Sequence, residues 1–170
     1  MNKAVFLDRD GILTKEKSSP KNKECLKINY GIEKALAHIK NMGYLVFCIT
    51  NQPDISRGLI TKLEVEEIND ILWTVFPQIA KFMYCGHDNA DNCICRKPQP
   101  GMIISLAREY EVDLSKSWVV GDRWRDIEAG KSAGCRTIFY NYRNQGEISN
   151  SIPDFTVKSP EGLIKIFKGV

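Results

Sequence analysis

Short continuous apolar runs alternate along this chain with longer stretches in which apolar residues recur every three or four positions. "KAVFLD", Lys3 to Asp8, reads as a buried strand. "GIEKALAHIKNMG" carries helical spacing and ends at Gly43, a residue suited to a helix C-cap. "YLVFCIT" predicts a second buried strand. Thr61 and Glu64 form a capping-box signature before the helical run "EVEEINDILWTVF". "FMYC" predicts a short strand, and Pro100-Gly101 introduces a helix over "MIISLAREY". "SWVVGD" is a further strand, "RDIEAGKSAG" a short helix closed by Gly134, and "CRTIFYN" another strand. "PDFTV" predicts an edge strand, and Ser159 with Pro160 starts a final helix.

Strands that are apolar throughout must be covered on both faces, and strands that alternate with helices pair in parallel. The fold class expected is therefore α/β: a Rossmann-like three-layer sandwich with a mainly parallel central sheet. A chain of 170 residues is expected to form a single domain, residues 1–170. Three predicted strand ends carry polar groups: Asp8 and Asp10, then Thr50 and Asn51, then Asp122. Ligands of open α/β sheets bind outside the carboxyl ends of strands, so these clusters are expected to converge.

Composition narrows the classes. A net charge of +3 with no strongly basic face argues against nucleic-acid binding. The densest positive segment, "KEKSSPKNKEC", reads as a mobile polar loop. No apolar stretch reaches membrane-spanning length and no secretory leader is evident at the start, so a cytoplasmic location is expected. Cysteines in that compartment are thiols or metal ligands rather than disulfides. Cys48 and Cys135 lie in strand-like runs and read as small buried apolar residues.

Asp8 and Asp10 stand two apart in extended backbone, where side chains share a face. Two such charges repel unless a cation or proton lies between them, and Mg²⁺ with oxygen ligands resolves this. Asp122 can add a third carboxylate, and Asp126 can hold a metal-bound water or cap its helix. Thr50, Asn51 and Lys97 have the hydroxyl, amide and ammonium groups that hold phosphate oxygens.

"CGHDNADNCICRKPQPG" holds a second chemistry. Cys85, His87, Cys93 and Cys95 supply four soft or borderline donors within eleven positions, enough for a closed tetrahedral Zn²⁺ site of structural type. The bland alternative is free surface thiols beside a polar turn.

The ordered set "DRDG", "CITNQ", "RKP" and "GDRWRD" resembles the haloacid dehalogenase-like phosphatase superfamily. The zinc loop, at about 85–97, places the resemblance in the branch of histidinol-phosphate and D-glycero-D-manno-heptose 1,7-bisphosphate phosphatases, which lack a large cap domain. The resemblance implies that Asp8 is the nucleophile and Asp10 the general acid and base. It implies Mg²⁺ at Asp8, at the Asp10 carbonyl and at Asp122, with Thr50 and Lys97 on the phosphoryl oxygens. Arg96, Arg57 and Arg123, with Asn51, are the expected substrate contacts, Arg96 toward a second anionic group. Arg57 reads equally well as a surface cation. Two departures from the branch, Ile12 and Pro53, are expected to bear on substrate choice. The implied partner is a small sugar phosphate, with heptose bisphosphate favoured over histidinol phosphate, and the expected state is a monomer. A zinc-stabilised binding module remains an alternative of another class, although it leaves the carboxylates unexplained.

Overall fold

The computed structural model describes residues 1–15, 22–142 and 151–169. Elements follow in the order β1 (Lys3–Leu7), α1 (Glu33–Asn41), β2 (Tyr44–Asn51), α2 (Lys62–Val75), β3 (Lys81–Cys85) and α3 (Gly101–Glu109). Then come β4 (Trp118–Gly121), α4 (Trp124–Ser132), β5 (Arg136–Tyr140), β6 (Phe155–Val157) and α5 (Pro160–Lys168). The six strands form one sheet in the order β3-β2-β1-β4-β5-β6, and every pairing is parallel. The sheet is thus wholly rather than mainly parallel.

The local signals explain the element ends. Thr61 accepts from Glu64 N and Glu64 reaches back to Thr61 N, which satisfies two donors at the start of α2. Ser159 accepts from Gly162 N at the start of α5, with Pro160 at the first helical position. Gly43 and Gly134 close α1 and α4 at φ +82°, a conformation glycine adopts without a Cβ clash. Three 3₁₀ turns, Lys23–Cys25, Asn89–Asp91 and Leu114–Lys116, were not expected, because three residues are too few to show a period. The first lies in the predicted mobile loop, whose positions 16–21 fall outside the described residues.

Alternate strand residues separate two cores. Val5 and Leu7 pack with Leu36, Ile68, Leu72 and Phe167 on the face covered by α1, α2 and α5. Ala4 and Phe6 pack with Phe47, Ile103 and Leu106 on the face covered by α3 and α4. Cys48 is fully buried and Cys135 is 7% exposed, as small apolar residues would be.

β1 neighbours both β2 and β4, so chain progression reverses between β1 and β4. This is the topological switch point, where the strand ends leave a crevice.

Candidate active site

Asp8 follows β1 at that crevice, and its backbone N–H donates to the Val120 carbonyl of β4. Asp122 follows β4 directly. Asp126 lies in the first turn of α4, where its Oδ2 accepts from Arg123 N at 3.0 Å and so caps the helix. Carboxylate oxygens of Asp8, Asp122 and Asp126 all lie within 4.8 Å of one another.

Two glycines make this proximity possible. A Cβ on Gly11, at φ +101°, would fall 2.4 Å from an Asp122 oxygen. A Cβ on Gly121 would fall 2.1 Å from the Asp126 Cβ. Backbone without side chains therefore cradles both carboxylates. Three hard oxygen donors crowded into one buried pocket fit Mg²⁺. Asp10 differs from the three. Its carboxylate accepts from Arg9 Nε at 3.1 Å, Arg9 Nη2 at 3.2 Å, Gln52 Nε2 at 2.9 Å and Thr14 Oγ1 at 3.4 Å. Its carboxylate is thus held by these donors rather than grouped with the other three.

Lys97 enters from the opposite wall. Its Nζ lies 2.9 Å from Asp8 Oδ1, 2.7 Å from Asp126 Oδ1 and 2.8 Å from the Ile49 carbonyl oxygen. The ammonium is 3% exposed. Burial works against its charge, but Asp126 and Asp8 outweigh burial and hold its pKa above the ordinary lysine value. Burial pushes the Asp8 carboxyl up to about 6, with Asp126 and Asp10 adding to the rise and Lys97 opposing it.

Thr50 is 2% exposed at the end of β2, and its Oγ1 accepts from Gln52 Nε2 at 2.9 Å. Asn51 grips the Lys97 backbone with both ends of its amide. Its Nδ2 donates to the Lys97 carbonyl at 2.9 Å, and its Oδ1 accepts from the Lys97 N–H at 3.0 Å.

The expected arginines are largely engaged elsewhere. Arg57 is exposed and forks onto Asp88 at 2.6 and 3.0 Å, with Asp54 at 3.2 Å. Arg96 turns into its own loop, where Nε donates to Asn89 at 2.8 Å and Nη1 to the His87 carbonyl at 3.1 Å. Arg123 lines the cleft with Asp8 and Lys97. Ile12 is fully buried in the core beside α1 and α2, so an influence on substrate by contact is ruled out for it.

Sequence reasoning passed over four residues. Arg9 and Gln52 are fully buried around Asp10, and Arg9 also donates to Asn69 of α2 at 3.0 Å. A signal for Asn69 existed: it interrupts the apolar stripe of Val65, Ile68 and Leu72. Arg125 lines the cleft as well.

Beyond β3, Cys85, His87, Cys93 and Cys95 close together, with five of their six Sγ and Nδ1 separations between 3.0 and 3.5 Å and all donor atoms within 4.8 Å. A tetrahedron with Zn–S bonds of about 2.3 Å has edges of roughly 3.8 Å, so this donor set needs only a small expansion to take the ion. Gly101, the first residue of α3, abuts this loop so closely that a Cβ would lie 2.2 Å from the Ile94 carbonyl oxygen.

A family model described as HAD-hydrolase-like matches residues 94–157. A D-glycero-beta-D-manno-heptose-1,7-bisphosphate 7-phosphatase of Helicobacter pylori is 37% identical over 137 residues, 78% of this chain and 79% of the relative. One from Pasteurella multocida is 33% identical across 100% of this chain and 99% of its own. The crystal structure of the D,D-heptose 1,7-bisphosphate phosphatase of B. bronchiseptica, complexed with magnesium and phosphate, superposes at a TM-score of 0.85 with 27% identity. That likeness covers 98% of both chains. A non-enzymatic binding module is thereby set aside. The chain is a phosphoric monoester hydrolase and belongs to the heptose-bisphosphate phosphatase family of haloacid dehalogenase-like enzymes.

Proposed function

We propose that this protein is a Mg²⁺-dependent phosphatase that removes the 7-phosphate of D-glycero-D-manno-heptose 1,7-bisphosphate. The observation that carries this reading is the buried ammonium of Lys97 shared between Asp8 and Asp126, beside Asp122, at the sheet's switch point. The activity for which the relatives from Helicobacter pylori and Pasteurella multocida are named supports the choice of sugar.

In the proposed reaction an Asp8 oxygen attacks phosphorus as the bond to the sugar oxygen breaks. Asp10 gives its proton to the departing sugar oxygen. The product of this step is an aspartyl-phosphate. Asp10 then takes a proton from water, whose oxygen attacks phosphorus and releases Asp8 and inorganic phosphate. Lys97 and Thr50 hold the phosphoryl oxygens through both steps. Asn51 supports the Lys97 contact by fixing the Lys97 backbone. Asp8, Asp122 and the Asp10 carbonyl would hold Mg²⁺, with Asp126 behind them, and the ion would neutralise charge between the carboxylate and the phosphate. Cys85, His87, Cys93 and Cys95 would hold a structural Zn²⁺. Arg123 is a further candidate contact at the cleft wall. The enzyme would work as a cytoplasmic monomer. Among the described residues, no helix is long and apolar enough to cross a membrane.

The test is kcat/KM on the heptose bisphosphate and on histidinol phosphate, with and without added Mg²⁺. Preference for the heptose compound is expected. Equal or better turnover of histidinol phosphate overturns the sugar assignment. Asp8→Asn is expected to remove turnover while keeping the fold, and near-normal rates in that variant would overturn the nucleophile.

A further inference from the structure

The proposed reaction makes two demands on the cleft besides the nucleophile. A proton must pass from Asp10 to the departing sugar oxygen as the phosphorus–oxygen bond breaks. Meanwhile Lys97 and Thr50 must hold the phosphoryl oxygens. Both demands are met only at set distances, and a misplacement of about 1 Å costs on the order of 10²-fold. Asp10 lies just beyond β1 and Thr50 near the end of β2, so their separation depends on what bridges the two strand ends.

One side chain bridges them. Gln52 Nε2 lies 2.9 Å from Asp10 Oδ2 and 2.9 Å from Thr50 Oγ1. A carboxamide nitrogen carries two N–H groups, one for each acceptor. The contact to Asp10 is the shortest of the four described above, and the other three come from Arg9 and Thr14, in the same loop as Asp10. Among these donors Gln52 alone arrives from beyond β2. The Thr50 oxygen, accepting from Gln52, keeps its own proton to donate to a phosphoryl oxygen.

The rest of Gln52 is fixed. It is fully buried. Its backbone N–H donates to the Cys85 carbonyl at 2.7 Å, and its carbonyl accepts from the Ile55 N–H at 3.2 Å. Its side-chain Oε1 is buried and accepts no hydrogen bond among the described residues. An unmet buried oxygen is unfavourable, so a residue placed there for stability alone would be apolar. Turned over, the amide would set Oε1 against the Asp10 carboxylate, acceptor against acceptor, which fixes the orientation. The fold tolerates one idle acceptor and keeps two donors in place, a local violation of the kind that concentrates at functional sites.

We infer that Gln52 is a positioning residue, whose single carboxamide holds the proton donor Asp10 and the phosphoryl-binding hydroxyl of Thr50 in register. Expulsion of a poor leaving group then depends on it. The inference deepens the proposed function and rests on its reading of Asp10 as the proton donor.

Gln52→Met keeps the length and volume of the side chain and removes both donors. The test is kcat/KM, which covers the steps through formation of the aspartyl-phosphate, on the heptose bisphosphate, phenyl phosphate and p-nitrophenyl phosphate. Sugar and phenol oxygens leave poorly without a proton, the phenol with the basicity of a tyrosine side chain, pKa about 10. The p-nitrophenolate spreads its charge into the nitro group and needs none. In Gln52→Met, kcat/KM on the heptose compound is expected to fall about 100-fold, and the phenyl-to-p-nitrophenyl ratio about tenfold. That ratio, taken within one preparation, is independent of the folded fraction. Gln52→Glu fills the same space but turns a carboxylate toward Asp10, and should lower the ratio at least as far. An unchanged ratio in either active variant overturns the inference. Asp10→Asn separates the inference from the reading beneath it: that variant should lower the ratio, and adding Gln52→Met should lower it no further. A ratio unmoved in Asp10→Asn removes Asp10 as proton donor and the inference with it. A further fall in the double variant means that Gln52 acts apart from Asp10, which overturns the inference alone. The aryl pair keeps the test independent of the choice of sugar.

Discussion

Lys97 balances the buried charges of Asp8 and Asp126 together. Removing Lys97 leaves Asp8 and Asp126 without the cation they share, whereas removing Asp8 leaves Lys97 paired with Asp126. Burial has already raised the Asp8 carboxyl to about 6. An acid with a raised pKa keeps its proton below that value, and a cation must displace the proton to bind. Mg²⁺ affinity of the metal-free protein is therefore expected to weaken as pH falls below about 6, by roughly tenfold per unit for one proton. Calorimetric titrations at acid and neutral pH check this, and a flat profile would contradict it. Asn51 offers a second test at this scale. Asn51→Ala removes both contacts to the Lys97 backbone, and misplacing a catalytic group by about 1 Å costs on the order of 10²-fold. The expected loss is in kcat; a rise in KM with kcat intact would make Asn51 a substrate contact instead. Asp8 and Asp122 were legible because they follow strands directly, and Lys97 because it follows the run of Cys and His residues. Arg9 and Gln52 were not, because nothing local says that an Arg between two aspartates is fully buried.

At the scale of elements, the segment between β3 and α3 has little apolar support of its own. Ile94 within it is 80% exposed. Four donors, the Arg96 contacts to Asn89 and His87, and the tight seat of Gly101 hold it instead. Ser56 and Arg57, from the loop after β2, tie to its Asp91 and Asp88. Lys97 follows the last of the four donors by two residues. Cys93→Ser is therefore expected to lose Zn²⁺ and to lower kcat through a displaced Lys97. Metal analysis beside phosphate release decides it, and full activity without zinc would end the positioning role. The spacing of the donors was readable in sequence, but the inward turn of Arg96 was not, since it depends on the loop's folded path.

For the whole molecule, the parallel sheet sets the crevice and its two cores hold it. Phe167 of α5 is fully buried, with its ring 5.4 Å from those of both Tyr44 and Trp118. Phe167→Ala should destabilise the fold by about 3–5 kcal/mol, measured by urea unfolding. A cost below about 1 kcal/mol would mean that the site collapses around the missing ring.

The sequence alone determined the layers, the strand ends that carry polar groups and the spacing of the Cys and His residues that the fold gathers. Those depend on periods of two and 3.6, on caps and on close spacings, all of which are local. Only the tertiary structure decided which cations are available. A guanidinium reaches far from its backbone and pairs with whatever the fold brings near it, here Asp88 for Arg57, Asn89 for Arg96 and Asp10 for Arg9. That pairing is non-local, while Arg123 and Arg125 line the cleft.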